Sequence, residues 1–198
     1  MKFILNKHWS GRLLAVPSAI RQIIWAINDR LADKISSLLI KKNLESVGQN
    51  VSIQKGFKFQ FPNRIRFGNN VTVQRNVEIN SETNTGSIEI KDNVRIGKNV
   101  IIDMTGGILI DSDVLISEGV IIYTHDHGLD PHATVIARKL IIGHDVWIGA
   151  KSIILPNVNE IGHHSIIGCG SIVTKSVPSG VIVAGNPAKL IRKREDIL

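Results

Sequence analysis

The chain has 198 residues, of which 43% are hydrophobic but only 5% aromatic, and it contains one cysteine. This composition predicts one domain with a narrow aliphatic core plus an appended segment, and a single thiol excludes an internal disulfide. A lone free thiol favours a reducing compartment, so we expect a cytoplasmic protein. The formal net charge is +7, yet no nucleic-acid-binding motif accompanies it, so the charge indicates a polyanionic substrate or cofactor rather than nucleic acid.

Residues 1–45 form the predicted appendage. Pro17, Arg12 and Arg21 interrupt its apolar stretch, so we expect no signal peptide, and no run reaches membrane-spanning length. Apolar residues three and four apart between Ile20 and Leu39 predict an amphipathic helix over about residues 18–43. We favour packing of this helix against the first repeats or a neighbouring subunit. The alternative is a peripheral contact with the inner face of the membrane.

An aliphatic or aromatic residue recurs at every sixth position through the rest of the chain. A period of six predicts a parallel β-helix, in which each hexad forms one side of a three-sided coil, over residues 46–185. Glycine, asparagine and aspartate follow many inward positions, as in Gly143-His144-Asp145, where we expect corners with positive φ. The predicted inward positions are Val47, Ile53, Phe59, Phe67, Val73, Ile79, Ile90, Ile96, Ile102, Ile110, Ile116, Ile122, Ile142, Ile148, Ile154, Ile161, Ile167 and Val173.

One long interruption breaks this period. The interval from Ile122 to Ile142 is far longer than one repeat, so residues 123–141 are expected to leave the coil as a loop. Long loops on rigid repeats often carry function. A histidine near neutral pKa can take a proton from an alcohol when a carboxylate or carbonyl orients it. The loop contains three imidazoles and two carboxylates, at His125, Asp126, His127, Asp130 and His132.

Four segments in a fixed order resemble the hexapeptide-repeat O-acetyltransferases, the group of maltose, galactoside, Nod-factor, xenobiotic and bacterial polysaccharide acetyltransferases. The resemblance covers about residues 90–194. It is carried by Ile121–His127, which reads Ile-Ile-Tyr-Thr-His-Asp-His, by Ile142–Ala150, by Ile167–Lys175, and by Val183–Lys189 with its Gly-Asn-Pro-Ala sequence.

The resemblance implies a left-handed β-helix that assembles as a homotrimer, with acetyl-CoA in the groove between subunits. By position, His127 matches the family's catalytic histidine, which would act as the general base toward a saccharide hydroxyl. His125 is the alternative base, and Asp126 or Asp130 would orient the histidine or simply shape a turn. No metal is required. Direct transfer in a ternary complex is expected, with a backbone N–H near Gly149 as oxyanion donor.

The same resemblance assigns residues to the two substrates. On the acceptor side we expect Tyr123, Asp103 and Asp130. Around the pantetheine arm, the thioester and the CoA phosphates, it implies Trp147, Ala150, Gly168, Cys169, Thr174, Lys175, Arg192 and Lys193, the last two in a basic tail over residues 186–198.

The sequence also departs from the family pattern. Familiar sugar enzymes carry asparagine and aspartate at positions that are Gly97 and Thr105 here, so we expect a larger acceptor, a unit of a capsular polysaccharide, exopolysaccharide or lipopolysaccharide. Two alternatives stay open. One is a zinc enzyme like the gamma-type carbonic anhydrases, using His127 and His132, although no other histidine lies between His8 and His125. The other is a non-catalytic trimeric binding scaffold.

Overall fold

The computed structural model describes Ile27, Leu31, Lys34 and residues 37–194. Ile27, Leu31, Lys34 and residues 37–41 are helical, residues 42–43 form a turn, and the remaining positions of the helix expected over residues 18–43 lie outside the described residues. The hydroxyl of Ser37 accepts a hydrogen bond from the backbone N–H of Ile53 at 3.2 Å. The end of this helical segment therefore contacts the first coil of the domain.

Three sheets of very short strands form the sides of a solenoid. Sheet A contains β1 (Ser46–Val47), β4 (Ile65–Phe67), β7 (Ile88–Ile90), β10 (Ile108–Ile110), β15 (Leu140–Ile142) and β18 (Glu160–Ile161). Sheet B contains β2 (Ser52–Ile53), β5 (Thr72–Val73), β8 (Arg95–Ile96), β11 (Leu115–Ile116), β16 (Trp147–Ile148), β19 (Ile166–Ile167), β21 (Val181–Gly185) and β22 (Ala188–Lys193). Sheet C contains β3 (Lys58–Phe59), β6 (Glu78–Asn80), β9 (Ile101–Asp103), β12 (Ile121–Ile122), β17 (Ile153–Ile154) and β20 (Ile172–Val173).

The predicted inward residues pair with one another from coil to coil. In the parallel register Val47 lies opposite Phe67, and Ile53 lies opposite Val73. From Ile90 to Ile167 these residues are at most 1% exposed. Burial of one such aliphatic side chain stabilises the fold by roughly 1.5–3 kcal/mol. Strands of two or three residues make few stabilising contacts of their own. The stacked side chains of the core therefore stabilise the coil. The prediction of a parallel β-solenoid with this register is confirmed.

Corner glycines have a different role from the one expected. At Gly143-His144-Asp145 the positive φ, 54°, belongs to Asp145 and not to the glycine. A Cβ on Gly143 would lie 2.6 Å from the backbone nitrogen of His163 in the next coil. Glycine is needed there because two backbones approach closely, and the left-handed residue comes two positions later.

The last coil ends in an antiparallel pair. Val177 makes a parallel bridge to Ile161, and β21 adds to sheet B beside β19. Strand β22 then returns antiparallel to β21, with Arg192 opposite Ile182. The segment expected as a basic tail over residues 186–198 therefore contains a strand that covers the edge of sheet B.

Candidate active site

A hairpin replaces the regular corner between β12 and β15. Its strands, β13 (His125–Asp126) and β14 (Ile136–Ala137), pair antiparallel, with His125 opposite Ala137. At its base the N–H of Arg138 donates to the carbonyl of Thr124 at 2.8 Å. The hydroxyl of Thr124 in turn accepts a hydrogen bond from the N–H of Gly106 at 2.9 Å. The hairpin thus begins and ends at fixed positions on the coil.

His127 is oriented by the main chain of the hairpin. Its Nδ1 lies 2.9 Å from the carbonyl oxygen of Ala133. A carbonyl only accepts hydrogen bonds, so Nδ1 must carry the proton in the neutral ring. The Nε2 atom then has a free lone pair, which is the form of imidazole that can accept a proton from an alcohol.

His125 is oriented by a buried carboxylate from the preceding coil. Its Nδ1 lies 2.7 Å from Oδ2 of Asp103, a residue only 2% exposed. The N–H of Thr124 donates to the same oxygen at 2.8 Å, and the N–H and hydroxyl of Thr105 donate to Oδ1. Burial alone would raise the pKa of Asp103, but these hydrogen bonds from Thr105, Thr124 and His125 outweigh it and hold the pKa below its ordinary value.

The two histidines lie side by side. Their ring centroids are 5.5 Å apart with an edge-to-face angle of 87°. The Nδ1 atoms contact different hydrogen-bond acceptors, a carbonyl for His127 and a carboxylate for His125. The two rings are therefore oriented by partners that differ in charge, a carboxylate and a neutral carbonyl.

Neither of the two loop aspartates considered as orienting groups forms a hydrogen bond with the ring of His125 or His127. Asp126 forms an ion pair with Arg138, with Nη1 and Oδ2 2.5 Å apart, and it accepts the N–H of Gly128. The hydrogen bond from Arg138 lowers the pKa of Asp126. Asp130 accepts the backbone N–H of His132 at 2.9 Å. Both carboxylates therefore shape the hairpin, and the orienting carboxylate is Asp103, which we had expected on the acceptor side.

The residues expected to bind CoA lie on coils after the hairpin. Trp147 projects from β16, is 48% exposed, and donates from Nε1 to the hydroxyl of Ser117 at 2.9 Å. Pairing across sheet B places Trp147, Ile166, Ile182 and Arg192 in one row. Three strand spacings separate the backbone of Trp147 from that of Arg192, about 14 Å.

The remaining positions expected near CoA directly follow β16, β19 and β20 or lie in β22. The exposed thiol of Cys169 donates to the carbonyl of Ala150 at 3.0 Å. The carbonyl of Gly168 accepts hydrogen bonds from two buried serine hydroxyls. Thr174 and Lys175 follow β20, and Lys193 lies exposed near the end of β22.

The N–H of Gly149 itself is not the oxyanion donor expected near this residue. The N–H of Gly149 donates to the carbonyl of Ile167 at 2.8 Å as part of the sheet B pairing. It is therefore not free to stabilise a developing charge.

Tyr123, expected on the acceptor side, is 41% exposed at the start of the hairpin, with its ring accessible to a ligand.

A polar cleft of about 480 Å³ lies beside the base of the hairpin. Thr105, Gly106 and Ala137 form the part of its wall next to the hairpin, and neither His125 nor His127 lines it.

Across the part of the chain that the structure describes, no three His, Cys, Asp or Glu side chains converge as metal ligands. Within the same residues, no helix has the length and apolar character needed to cross a membrane.

The link between Asp103 and His125 was not predicted from the sequence. The available signal was a carboxylate directly after the inward residue Ile102, followed by Thr105 in place of an aliphatic residue. A buried carboxylate needs several donors, and polar residues two positions apart could have supplied them.

Comparisons with known proteins agree with this architecture. The galactoside O-acetyltransferase of Escherichia coli strain K12 is 32% identical over 158 residues, covering 80% of this chain and 68% of that protein. WcaF of the same organism, a protein whose name links it to colanic acid biosynthesis, is 32% identical over 65% of this chain and 69% of its own length. No protein-family model matches the sequence.

Solved structures give the same result. The N-acyltransferase AntD of Bacillus cereus, in complex with dTDP and 3-hydroxybutyryl-CoA, superimposes with a TM-score of 0.72 at 29% identity and covers 81% of this chain and 88% of its own. The hexapeptide-repeat acetyltransferase VCA0836 of Vibrio cholerae superimposes with a TM-score of 0.63 at 26% identity, covering 93% and 94%. With a solenoid of the same kind and this identity to the galactoside enzyme over more than two thirds of that protein, the chain belongs to the hexapeptide-repeat O-acetyltransferases and is an acyltransferase.

Proposed function

We propose that the protein transfers an acetyl group from acetyl-CoA to a hydroxyl of a saccharide, with His127 as the general base. The observation that carries this proposal is the contact of His127 Nδ1 with the Ala133 carbonyl, because it leaves Nε2 unprotonated. The galactoside acetyltransferase among its relatives and the CoA-bound AntD support the choice of substrates.

The reaction needs little beyond alignment and proton removal. A thioester is already activated, whereas an alcohol is a poor nucleophile until a base removes its proton. In the transfer, Nε2 of His127 takes the hydroxyl proton, the acceptor oxygen forms the new ester bond to the acetyl carbon, and the carbon–sulfur bond breaks. CoA leaves as a thiolate that is then protonated by the imidazolium.

Direct transfer is preferred over an acyl-cysteine intermediate. The thiol of Cys169 donates to the carbonyl of Ala150, which is not a base that could take its proton. We assign the arm of CoA to the exposed row of sheet B that begins at Trp147, where Arg192 and Lys193 would meet its phosphates. This assignment includes a left-handed coil and a homotrimer whose neighbouring subunit closes the groove.

The acceptor is assigned to the class of cell-surface polysaccharides or their building units. WcaF among the relatives supports this class. A cleft of about 480 Å³ beside the hairpin is within the range of roughly 300–1,000 Å³ that small-ligand sites occupy. Thr105, one of the two positions where this chain departs from the familiar sugar enzymes, is one of its lining residues.

Replacing His127 by alanine tests the proposal. We expect a loss of acetyl transfer of about 10²–10⁴-fold, the usual contribution of a general base, with unchanged CoA affinity. The measurement is release of free CoA thiol with a panel of sugars. His132→Ala is the matched control, because His132 is exposed on the same hairpin.

Two outcomes would contradict this assignment. Full activity in His127→Ala together with its loss in His125→Ala would transfer the role of base to His125. Absence of CoA release with every sugar, while the wild-type protein still binds CoA, would leave only the non-catalytic scaffold.

A further inference from the structure

The cleft beside the hairpin is built from one row of residues on four successive coils. Arg64, Ser87, Gly107 and Lys139 each directly precede a residue of the paired set formed by β4, β7, β10 and β15. They are therefore stacked on the outer surface at the same corner. Three strand spacings separate Arg64 from Lys139, about 14 Å along the solenoid axis.

A glycine opens the centre of this row. Gly107 has a φ of +84°, and a Cβ added there would meet only the carbonyl oxygen of Ser87, at 3.9 Å. Space is therefore available above this position, and a side chain would fill it. Gly107 lines the cleft, and no side chain projects into it between Ser87 and Lys139 in this row.

Positive charge predominates in the lining. Three cations, Arg64, Arg66 and Lys139, face one carboxylate, Glu89. Arg66 is already neutralised by Glu45, with Nη2 and Oε1 2.6 Å apart. Neither of the other two cations forms an ion pair with any residue that the structure describes. Within the described residues, the side chain of Arg64 makes one long hydrogen bond, 3.4 Å from Nη1 to the carbonyl of Thr85.

The cleft reaches the network that holds His125. Thr105 lines it and donates to Asp103, whose other oxygen contacts the His125 ring. Ala137 also lines it and lies directly opposite His125 in the hairpin, so the two side chains share one face. A molecule in the cleft would therefore extend to the base of the histidine hairpin.

We propose that this cleft binds an anionic saccharide acceptor, with Arg64 and Lys139 holding its carboxylate or phosphate groups. The inference rests on the proposed function and specifies its substrate class. The planar guanidinium of Arg64 matches either group with two parallel hydrogen bonds, while the ammonium of Lys139 acts as a point charge. The hydroxyls of Thr85 and Ser87, with Glu89, provide partners for sugar hydroxyls between the two cations.

Direct binding to the full chain tests this inference without depending on turnover. The probes are trigalacturonate, its carboxyl-reduced neutral trigalactoside, and galactose 1-phosphate, titrated calorimetrically at low and high salt. We expect an acidic probe to bind at least about tenfold more tightly than the neutral one at low salt, with the difference reduced by salt. Preference for trigalacturonate identifies a carboxylate, and preference for galactose 1-phosphate identifies a phosphate.

Charge-removing variants locate the site. Arg64→Gln and Lys139→Gln should each weaken binding of the preferred acidic probe by about tenfold, equivalent to about 1.4 kcal/mol, and leave the neutral probe unchanged. Lys58→Gln, at an exposed position of sheet C, is the matched control and should change neither. Thermal melting of each variant verifies that the fold is intact.

Several results would overturn the inference. They are equal affinity for acidic and neutral probes, no binding of either acidic probe, or the same loss in Lys58→Gln as in the cleft variants. Acetyl transfer is measured in parallel to separate this inference from the proposed function. Transfer to neutral sugars without acidic preference defeats only the anionic specificity, and acid-selective binding without any transfer defeats only the enzymatic proposal.

Discussion

The coils and the histidine hairpin fix their side chains in opposite ways. In the coils, identical aliphatic residues stack in register, and each is held by many interchangeable contacts. In the hairpin, two strands of two residues are held by individual polar bonds, such as those of Asp103, Thr124 and Arg138. The stability that comes from buried side chains is distributed over many residues, whereas the position of a proton-accepting histidine depends on a few hydrogen bonds.

The largest expected effect is in the coil. Ile148→Asp places a carboxylate at a fully buried position where no donor is available, a change that costs several kcal/mol. We expect insoluble or unfolded protein. Ile148→Val, which removes one methylene, should cost only about 0.5–1.5 kcal/mol, and thermal melting compares the two. A soluble, cooperatively folded Asp variant would contradict the account of the core.

Replacing Asp103 by asparagine separates the hairpin from the coil. The variant loses the charged partner of His125 and places an amide among donors from Thr105 and Thr124. We expect acetyl transfer to fall by about 10²-fold, the effect of a misplaced active-site group, in a folded protein. Asp130→Asn is the control, since Asp130 only accepts a turn N–H. Equal losses in both variants would refute a special role for Asp103.

A glycine at the contact between the two regions gives a smaller effect. A Cβ on Gly106 would lie 2.1 Å from the carbonyl oxygen of Arg138, at the base of the hairpin. Gly106→Ala should therefore displace the hairpin and cost about 1–3 kcal/mol in the free energy of unfolding, with reduced activity. Gly119→Ala, with positive φ but no contact closer than 3.5 Å, controls for backbone strain alone. Unchanged activity in Gly106→Ala would mean that the hairpin adapts.

The smallest expected effect is the change in stability at acid pH. The folded-state pKa of Asp103 lies below its ordinary value of 3.8, so its ionised form stabilises the protein above that pH. This stabilisation is lost as the pH falls below 3.8 and through the folded-state pKa. The difference in melting temperature between wild type and Asp103→Asn should therefore be constant from pH 7 to about 5 and shrink below 4. A constant difference at all pH values would refute this assignment.

The sequence predicted the structure of the coils in more detail than that of the histidine hairpin. The period of six predicted which residue of each hexad faces inward and which residues stack, because one-dimensional repetition makes each coil equivalent. It also indicated residues 123–141 as an interruption. It did not predict that Asp126 pairs with Arg138, or that Asp103 holds His125 across a gap of 22 positions, because such contacts depend on how a non-repeated segment folds back.

The sequence by itself determined the solenoid and its register, since regular spacing of aliphatic residues leaves few alternatives for burying them. Its four ordered segments indicated the family by resemblance. The tertiary structure alone decided which carboxylate contacts which imidazole and which cations remain unpaired in the cleft. It also placed Arg64, Ser87, Gly107 and Lys139 in one row, although 75 positions of sequence separate the first from the last. The physical reason is that hydrophobic burial follows a local period, whereas polar contacts require specific atoms to meet after the chain has folded.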